Sequence, residues 1–164
     1  YLANHDEATG LHNRRYLIQA LESLFSRRLT APGTDYLCFI DIDHFKVINE
    51  GGGHLAGDEF LRQIATHISN LKKDNFLLTR LSGDEFAVIM SQTAAESAIA
   101  VMSRLHERLE KLTLPCAPKE ALRISVGVAP WGPQFGHYRE WLKAADVALY
   151  RAKNAGRGRT EVAA

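Results

Sequence analysis

Three places in this 164-residue sequence put carboxylates where chemistry could use them. The first is FIDIDHFKVIN, where Asp41 and Asp43 alternate with Ile40 and Ile42. Alternation along a strand places both acids on one face. The second is the pair Asp84 and Glu85, interrupting the apolar run LTRLSGDEFAVIM. The third is Asp58, which opens an amphipathic run, although an acid in a first helical turn is also favoured by the helix dipole. A carboxylate ending an apolar strand must be paired, solvated or metal-bound, because burying it unpaired is costly. Asp41 and Asp84 on neighbouring strands would make a hard, oxygen-rich site. Mg²⁺ (or Mn²⁺) suits it, since Mg²⁺ takes one or two carboxylates plus substrate phosphates. Phosphoryl or nucleotidyl transfer is the chemistry such a site would run.

Cations for phosphates are at hand. Lys46 follows the first acid by five residues, and YRAKNAGRGR places Lys153 and Arg157 four apart near the end of a helical run. Lysine and arginine at a helix C-terminus also answer the dipole, so spacing alone leaves both readings open. Asn49 and His54 flank a glycine-rich stretch and read equally well as turn residues.

Several elements must hold these groups. Residues 13–29 carry Leu17, Ala20, Leu21, Leu24 and Phe25 at helical spacing, and APGT at residues 31–34 breaks the pattern. YLCFIDI reads as a buried strand. A short helical piece from Lys46 gives way to a loop, EGGGH, before a helix over residues 57–71 with Phe60, Leu61, Ile64, Ala65, Ile68 and Leu71 on one face. FLLTRL and FAVIM are two strands around a tight turn, SGDE. A helix over residues 94–112 turns Ile99, Met102, Leu105 and Leu109 inward, and LRISVGVA is a strand. A last helix over residues 138–154 buries Trp141, Leu142, Ala145, Leu149 and Ala152, and Gly156 ends it. This mixture predicts one α/β (α+β) sandwich, with helices over a mostly antiparallel sheet of about five strands.

The length is that of one ordinary domain, and 46% hydrophobic content suffices for a core. Twenty Lys+Arg against 19 Asp+Glu give no general attraction to nucleic acid or to a membrane surface, and no partner of either kind is expected. The basic run Ser26-Arg27-Arg28 reads as solvated helix surface. Cys38 lies in an apolar strand and reads as a small core residue. With Cys116 it offers no metal-type spacing, and no disulfide is expected in a chain read as cytosolic. No apolar run approaches the roughly 20 residues that span a bilayer. No signal-peptide pattern is present. Because the chain starts at Tyr1, residues 1–164 read as a single domain excised from something longer.

Taken in order, these blocks resemble the GGDEF domain, the diguanylate cyclase family of bacterial signalling. DEATGLHNRRYL resembles the family's opening segment, DIDHFKVINEGGGHLAGDEFL its second block and RLSGDEF its signature. SVGVA and ADVALYRAKNAGRGR resemble its close, so the likeness runs over residues 6–159. It implies a fold like the palm of nucleotidyl cyclases. It implies a cytoplasmic domain that condenses two GTP into cyclic di-GMP and two pyrophosphates across a homodimer of half-sites, often with attached sensor or phosphodiesterase domains. By position, Asp41 and Asp84 would bind Mg²⁺ with help from the Ile42 carbonyl. Asp84 or Glu85 would be the base. Asn49 and Asp58 would read the guanine edge, supported by His54. Lys46, Lys153 and Arg157 would hold the triphosphate with backbone N–H groups near His44 and Phe45.

Two positions depart from the family pattern. Ser82 stands where the signature's first residue is usually glycine, which matters if the backbone there needs a positive φ or a close approach to nucleotide. The alternative that Ser82 favours is a catalytically degenerate domain that binds GTP or mediates contacts to regulate an attached phosphodiesterase or other module. The family's Arg-x-x-Asp product-binding slot falls on Lys73, Asp74, Asn75 and Phe76. Lysine lacks the bidentate fork of arginine, and Phe76 accepts no hydrogen bond, so no product inhibition is expected through this slot.

Overall fold

The computed structural model describes residues 3–27, 34–112 and 123–164. The expected break at residues 31–33 and the second cysteine, Cys116, lie outside them. In chain order the elements are β1 (His12–Asn13), α1 (Arg14–Ser26), β2 (Tyr36–Ile42), α2 (Phe45–Asn70), β3 (Phe76–Ser82), β4 (Glu85–Met90), α3 (Ala95–Glu110), β5 (Ile124–Pro130), α4 (Tyr138–Asn154) and β6 (Thr160–Val162). They build one six-stranded sheet in the order β1-β3-β4-β2-β5-β6. The four central strands pair antiparallel, while β1 joins β3 and β6 joins β5 in parallel. The palm-like sandwich is as expected. The two short edge strands are additions, since two- and three-residue strands carry no readable alternation.

Strand alternation divides the core in two. On one face Cys38, Ile40 and Ile42 of β2 meet Phe86, Val88, Met90 and the inward residues of α2 and α3. On the other, Leu37, Ala87, Ile89 and Ala129 meet Leu17 and Leu21 of α1 and Trp141 and Ala145 of α4. Burial pushes the Cys38 thiol up to about 12, so this cysteine is inert filling. Two side chains differ from expectation. Ile99 is 37% exposed, because Ala98 and Val101 take the inward positions beside Met102, Leu105 and Leu109. Leu142 is half-buried at the edge of a cavity, while Ala148 is buried.

α1 starts where the Asn13 side chain accepts the Tyr16 N–H at 3.1 Å, satisfying one orphan donor of the first turn. α4 lies hard against β5. A Cβ on Gly127 would run into the backbone of Ala145 and Leu149, so glycine sets this close approach. The buried Trp141 indole N–H donates to the Ala129 carbonyl at 2.9 Å, which fixes the helix along the strand. α2 is two helical arms joined at Gly53, whose φ of 76° and ψ of −179° are non-helical. The loop expected over residues 50–54 thus shrinks to one glycine in a conformation other residues avoid.

Candidate functional site

β2 ends at the point where the β3–β4 hairpin turns. Asp41 lies opposite Glu85 in the β2–β4 register, and the Ile42 N–H donates to the backbone carbonyl of Asp84 at 3.1 Å. That bond holds the hairpin tip over the strand end. A bulge between Arg80 and Ser82 shifts the register just before the turn. The Arg80 guanidinium reaches the Gly83 carbonyl at 2.9 Å and the Asp6 carboxylate at 3.1 Å. Burial works against the Asp6 charge, but bonds from Thr9 and Arg80 prevail and hold its carboxyl below the usual value. The tie between Asp6 and Arg80 spans 74 residues and has no sequence signal.

Asp41 is only 7% exposed. The Lys153 ammonium, from the last turn of α4, donates to its Oδ2. Its Oδ1 is buried with no hydrogen-bond partner. Burial pushes the Asp41 carboxyl up to about 6 against the pull of Lys153, and the carboxyl of Asp84 beside it pushes the same way. Two adjacent carboxyls with one orphaned oxygen are a set that a hard cation would satisfy. Among the described residues no three His, Cys, Asp or Glu side chains converge on a point. The donors present fit Mg²⁺ completed by water and phosphate rather than a closed protein cage. Glu85 is exposed and points elsewhere. It lines a cavity of about 470 Å³ between α1 and α4, with Arg14, Phe39, Leu81, Leu142, Lys143 and Asp146.

Strained backbone frames this end of the sheet. Outside glycine, positive φ among the described residues occurs at His44 (55°), Gln92 (48°) and Arg157 (63°). His44 and Arg157 lie on either side of the buried Asp43, and such strain concentrates at functional sites. His44 precedes α2 and gives it no side-chain cap, while the Val47 N–H donates to the His44 carbonyl at 2.9 Å. After α4 the Arg157 N–H folds back to the Ala152 carbonyl at 3.0 Å, closing the helix C-terminus. Ser82 is not among the positive-φ residues, and Gly83 takes φ of 31°. The serine therefore adds no backbone strain to the turn.

The remaining residues singled out from sequence fall into two groups. The first arm of α2 folds back so that the Asn49 side chain occupies the space a Cβ on Gly57 would need, with the Phe45 ring alongside. Asn49 thus lies next to the residue preceding Asp58. Asp58 and His54 are exposed. Lys46 is also exposed and pairs with Glu50 at 3.7 Å, one turn along. The structure brings together Asp41, Asp84 and Lys153, sets Arg157 by the neighbouring Asp43, and leaves Lys46, His54 and Asp58 exposed. Phe76 is 6% exposed in the core, so the acidic position of the product-binding slot holds a buried ring.

The family model for "Diguanylate cyclase, GGDEF domain" matches residues 3–159. The chain belongs to the GGDEF family. It is 52% identical over 165 residues to a probable diguanylate cyclase, DgcC, of Escherichia coli, covering 99% of this chain and 44% of that protein. It is 37% identical over 159 residues to the response regulator PleD of Caulobacter vibrioides, covering 95% of this chain and 35% of PleD. The chain thus spans less than half the length of these relatives. Among solved GGDEF structures, the GGDEF domain of DgcB from Caulobacter crescentus, in complex with c-di-GMP, superposes with a TM-score of 0.87 at 29% identity, over 98% of this chain and 93% of that one. The diguanylate cyclase SiaD of Pseudomonas aeruginosa, in complex with its activator SiaC, gives 0.85 at 29% identity, over 99% of this chain and 64% of SiaD. Ser82 is then a substitution at the first letter of the GGDEF signature, with the other four letters intact.

Proposed function

We propose that this GGDEF domain condenses two GTP molecules into cyclic di-GMP, releasing two pyrophosphates. Two domains face each other as a homodimer, each holding one GTP. Each 3′-hydroxyl oxygen forms a bond to the α-phosphorus of the opposite nucleotide. The bond from that phosphorus to the bridging oxygen breaks, and pyrophosphate leaves. The observation that carries this reading is the hairpin tip fastened over Asp41, which sets Asp41, Asp84 and Lys153 within one small volume.

Asp41 and Asp84, with the Ile42 carbonyl, would hold Mg²⁺ (or Mn²⁺). When bound, the ion supplies charge for the phosphate oxygens and lowers the pKa of the attacking hydroxyl. Lys153, Arg157 and the uncapped N–H groups at Phe45 bind the triphosphate, and Lys46 leaves Glu50 to join them. Asn49 and Asp58 address the guanine edge, with His54 at the rim. Asp84 would take the hydroxyl proton, a choice over Glu85 supported by the opening of Glu85 onto the cavity between α1 and α4. The Cβ of Ser82 is accommodated at the turn without a left-handed backbone. An attached sensor or phosphodiesterase segment, in a cytoplasmic protein, would control how the two domains meet.

Calorimetric titration with GTP tests the binding half of this reading. GTP affinity that depends on Mg²⁺ and falls at least tenfold in Asp41→Asn and Asp84→Asn is expected, the loss of one charge-assisted contact being about 1.5–3 kcal/mol. Affinity unchanged by both substitutions would refute the assignment. Glu85→Gln is expected to bind GTP normally and to lose less turnover than Asp84→Asn.

A further inference from the structure

Asp43 has no role in the reading above, yet it is 3% exposed and fully engaged. Its Oδ1 accepts from the Ser125 hydroxyl at 2.7 Å, and its Oδ2 accepts the Gly158 N–H at 2.9 Å. Arg157 Nε lies 3.9 Å from Oδ1. The Asp43 backbone N–H donates to the Arg123 carbonyl at 2.8 Å. With both oxygens taken by protein donors, Asp43 is poorly placed to add a third carboxylate to a cation held by Asp41 and Asp84. We propose that Asp43 is a positioning residue that sets the turn carrying Arg157, and through it the triphosphate grip.

The turn explains the need. Gly156, Arg157 and Gly158 take φ of 120°, 63° and 59°, three left-handed residues in succession. A free chain does not hold such a run, least of all with arginine at its centre. The Arg157 N–H is tied back to Ala152 at the end of α4. The next N–H, that of Gly158, is tied to Asp43, 115 residues away and one strand residue past the metal-site end of β2. A carboxylate accepting a backbone N–H is among the stronger hydrogen bonds available. Ser125 sits opposite Asp41 in the β2–β5 register, so the same carboxylate also links the turn to the central strands. A buried acid is not required to fill a core, where an apolar group of similar volume often serves as well. What the acid adds is a fixed address for the Gly158 N–H and, with it, for the Arg157 side chain.

This inference rests on Arg157 contacting the triphosphate, so its test separates the two. Amide hydrogen exchange is measured first, without nucleotide, on the wild-type domain and on Asp43→Asn. The expected result is exchange at Gly158 faster by about tenfold or more, for loss of one bond to a charged acceptor, with β5 amides such as Val128 unchanged. Should Asp43→Asn fail to fold, Ser125→Ala keeps the carboxylate and removes one donor, and a smaller rise at Gly158 is expected. GTP affinity is then measured for Asp43→Asn, Arg157→Ala and the double variant. Each single variant is expected to bind about tenfold more weakly, and the double variant no more weakly than Arg157→Ala alone, since both act through one side chain. Unchanged exchange at Gly158 would overturn the proposal, and so would fully additive losses, which mark a separate structural effect. Arg157→Ala without effect on GTP binding would instead overturn the triphosphate reading, whatever Gly158 shows.

Discussion

Asp41 is pulled in two directions. Burial and the neighbouring Asp84 favour its neutral form, while Lys153 favours its charged form, and one oxygen has no partner. Asp43, one residue past the same strand end, is satisfied by its bonds to Ser125 and Gly158. The structure ends β2 at Ile42, so Asp43 lies past the strand, and the two acids that alternation put on one strand face have different fates. The types and spacing of Asp41, Asp84 and Lys153 were legible in the sequence because each is placed by a local element end. The bonds of Asp43 were not, because one of them reaches a residue 115 positions away. At this scale the strained His44 also makes a prediction. It is exposed, uncapped and left-handed, a conformation costing about 1–2 kcal/mol outside glycine. His44→Gly is expected to stabilise the domain by about 1 kcal/mol after the added freedom of the unfolded chain is offset, read as a rise in denaturation midpoint with unchanged slope.

Elements, rather than single residues, carry Lys153 to Asp41. α4 is seated on β5 by the absence of a side chain at Gly127 and by the Trp141 bond to Ala129. Gly127→Ala is expected to lower stability by about 3 kcal/mol, at the upper end for overpacking, because the obstructing atoms are backbone. It is also expected to shift α4 outward and weaken GTP binding through Lys153. A variant as stable as wild type would show that the close approach is not required. The long helices and central strands were legible because their apolar periods are strong. The edge strands β1 and β6 were not, being too short to show a period, and Ile99 was misplaced because Ala98 and Val101 took the inward positions. The kink in α2 was visible only as a run of glycines, and the structure assigns it to Gly53.

Across the whole molecule, one sheet separates two cores and brings five chain segments to one end. His106 of α3 bonds Thr160 of β6 at 2.9 Å, joining one helical layer to the edge of the sheet. Burial holds its pKa below the usual histidine value, opposed by the charges of Asp43 and Glu110. The fold therefore favours neutral His106, and the unfolded chain binds the proton more readily. This contribution to stability is complete above the unfolded pKa of about 6.5 and is lost as pH falls through the lower folded value. Asp41, with its raised pKa, acts in the opposite sense, so the effect of His106 is read as a difference. Wild type is expected to lose more stability than His106→Gln as pH falls from 7.5 to 5.5, read in denaturant titrations. Equal losses would show that His106 does not report the junction. No helix among the described residues is long and apolar enough to cross a membrane.

The central claim is that Asp41 and Asp84, with Ser82 in the turn, form a working half-site. The measurement that tests it most directly is incubation of concentrated domain, dimerised by a fused coiled coil, with GTP and Mg²⁺, followed by chromatography of the products. Cyclic di-GMP from the intact domain, with none from Asp84→Ala, is the predicted result. No product from the intact domain, together with product from Ser82→Gly, would contradict the claim and mark the serine as the residue that silences the site.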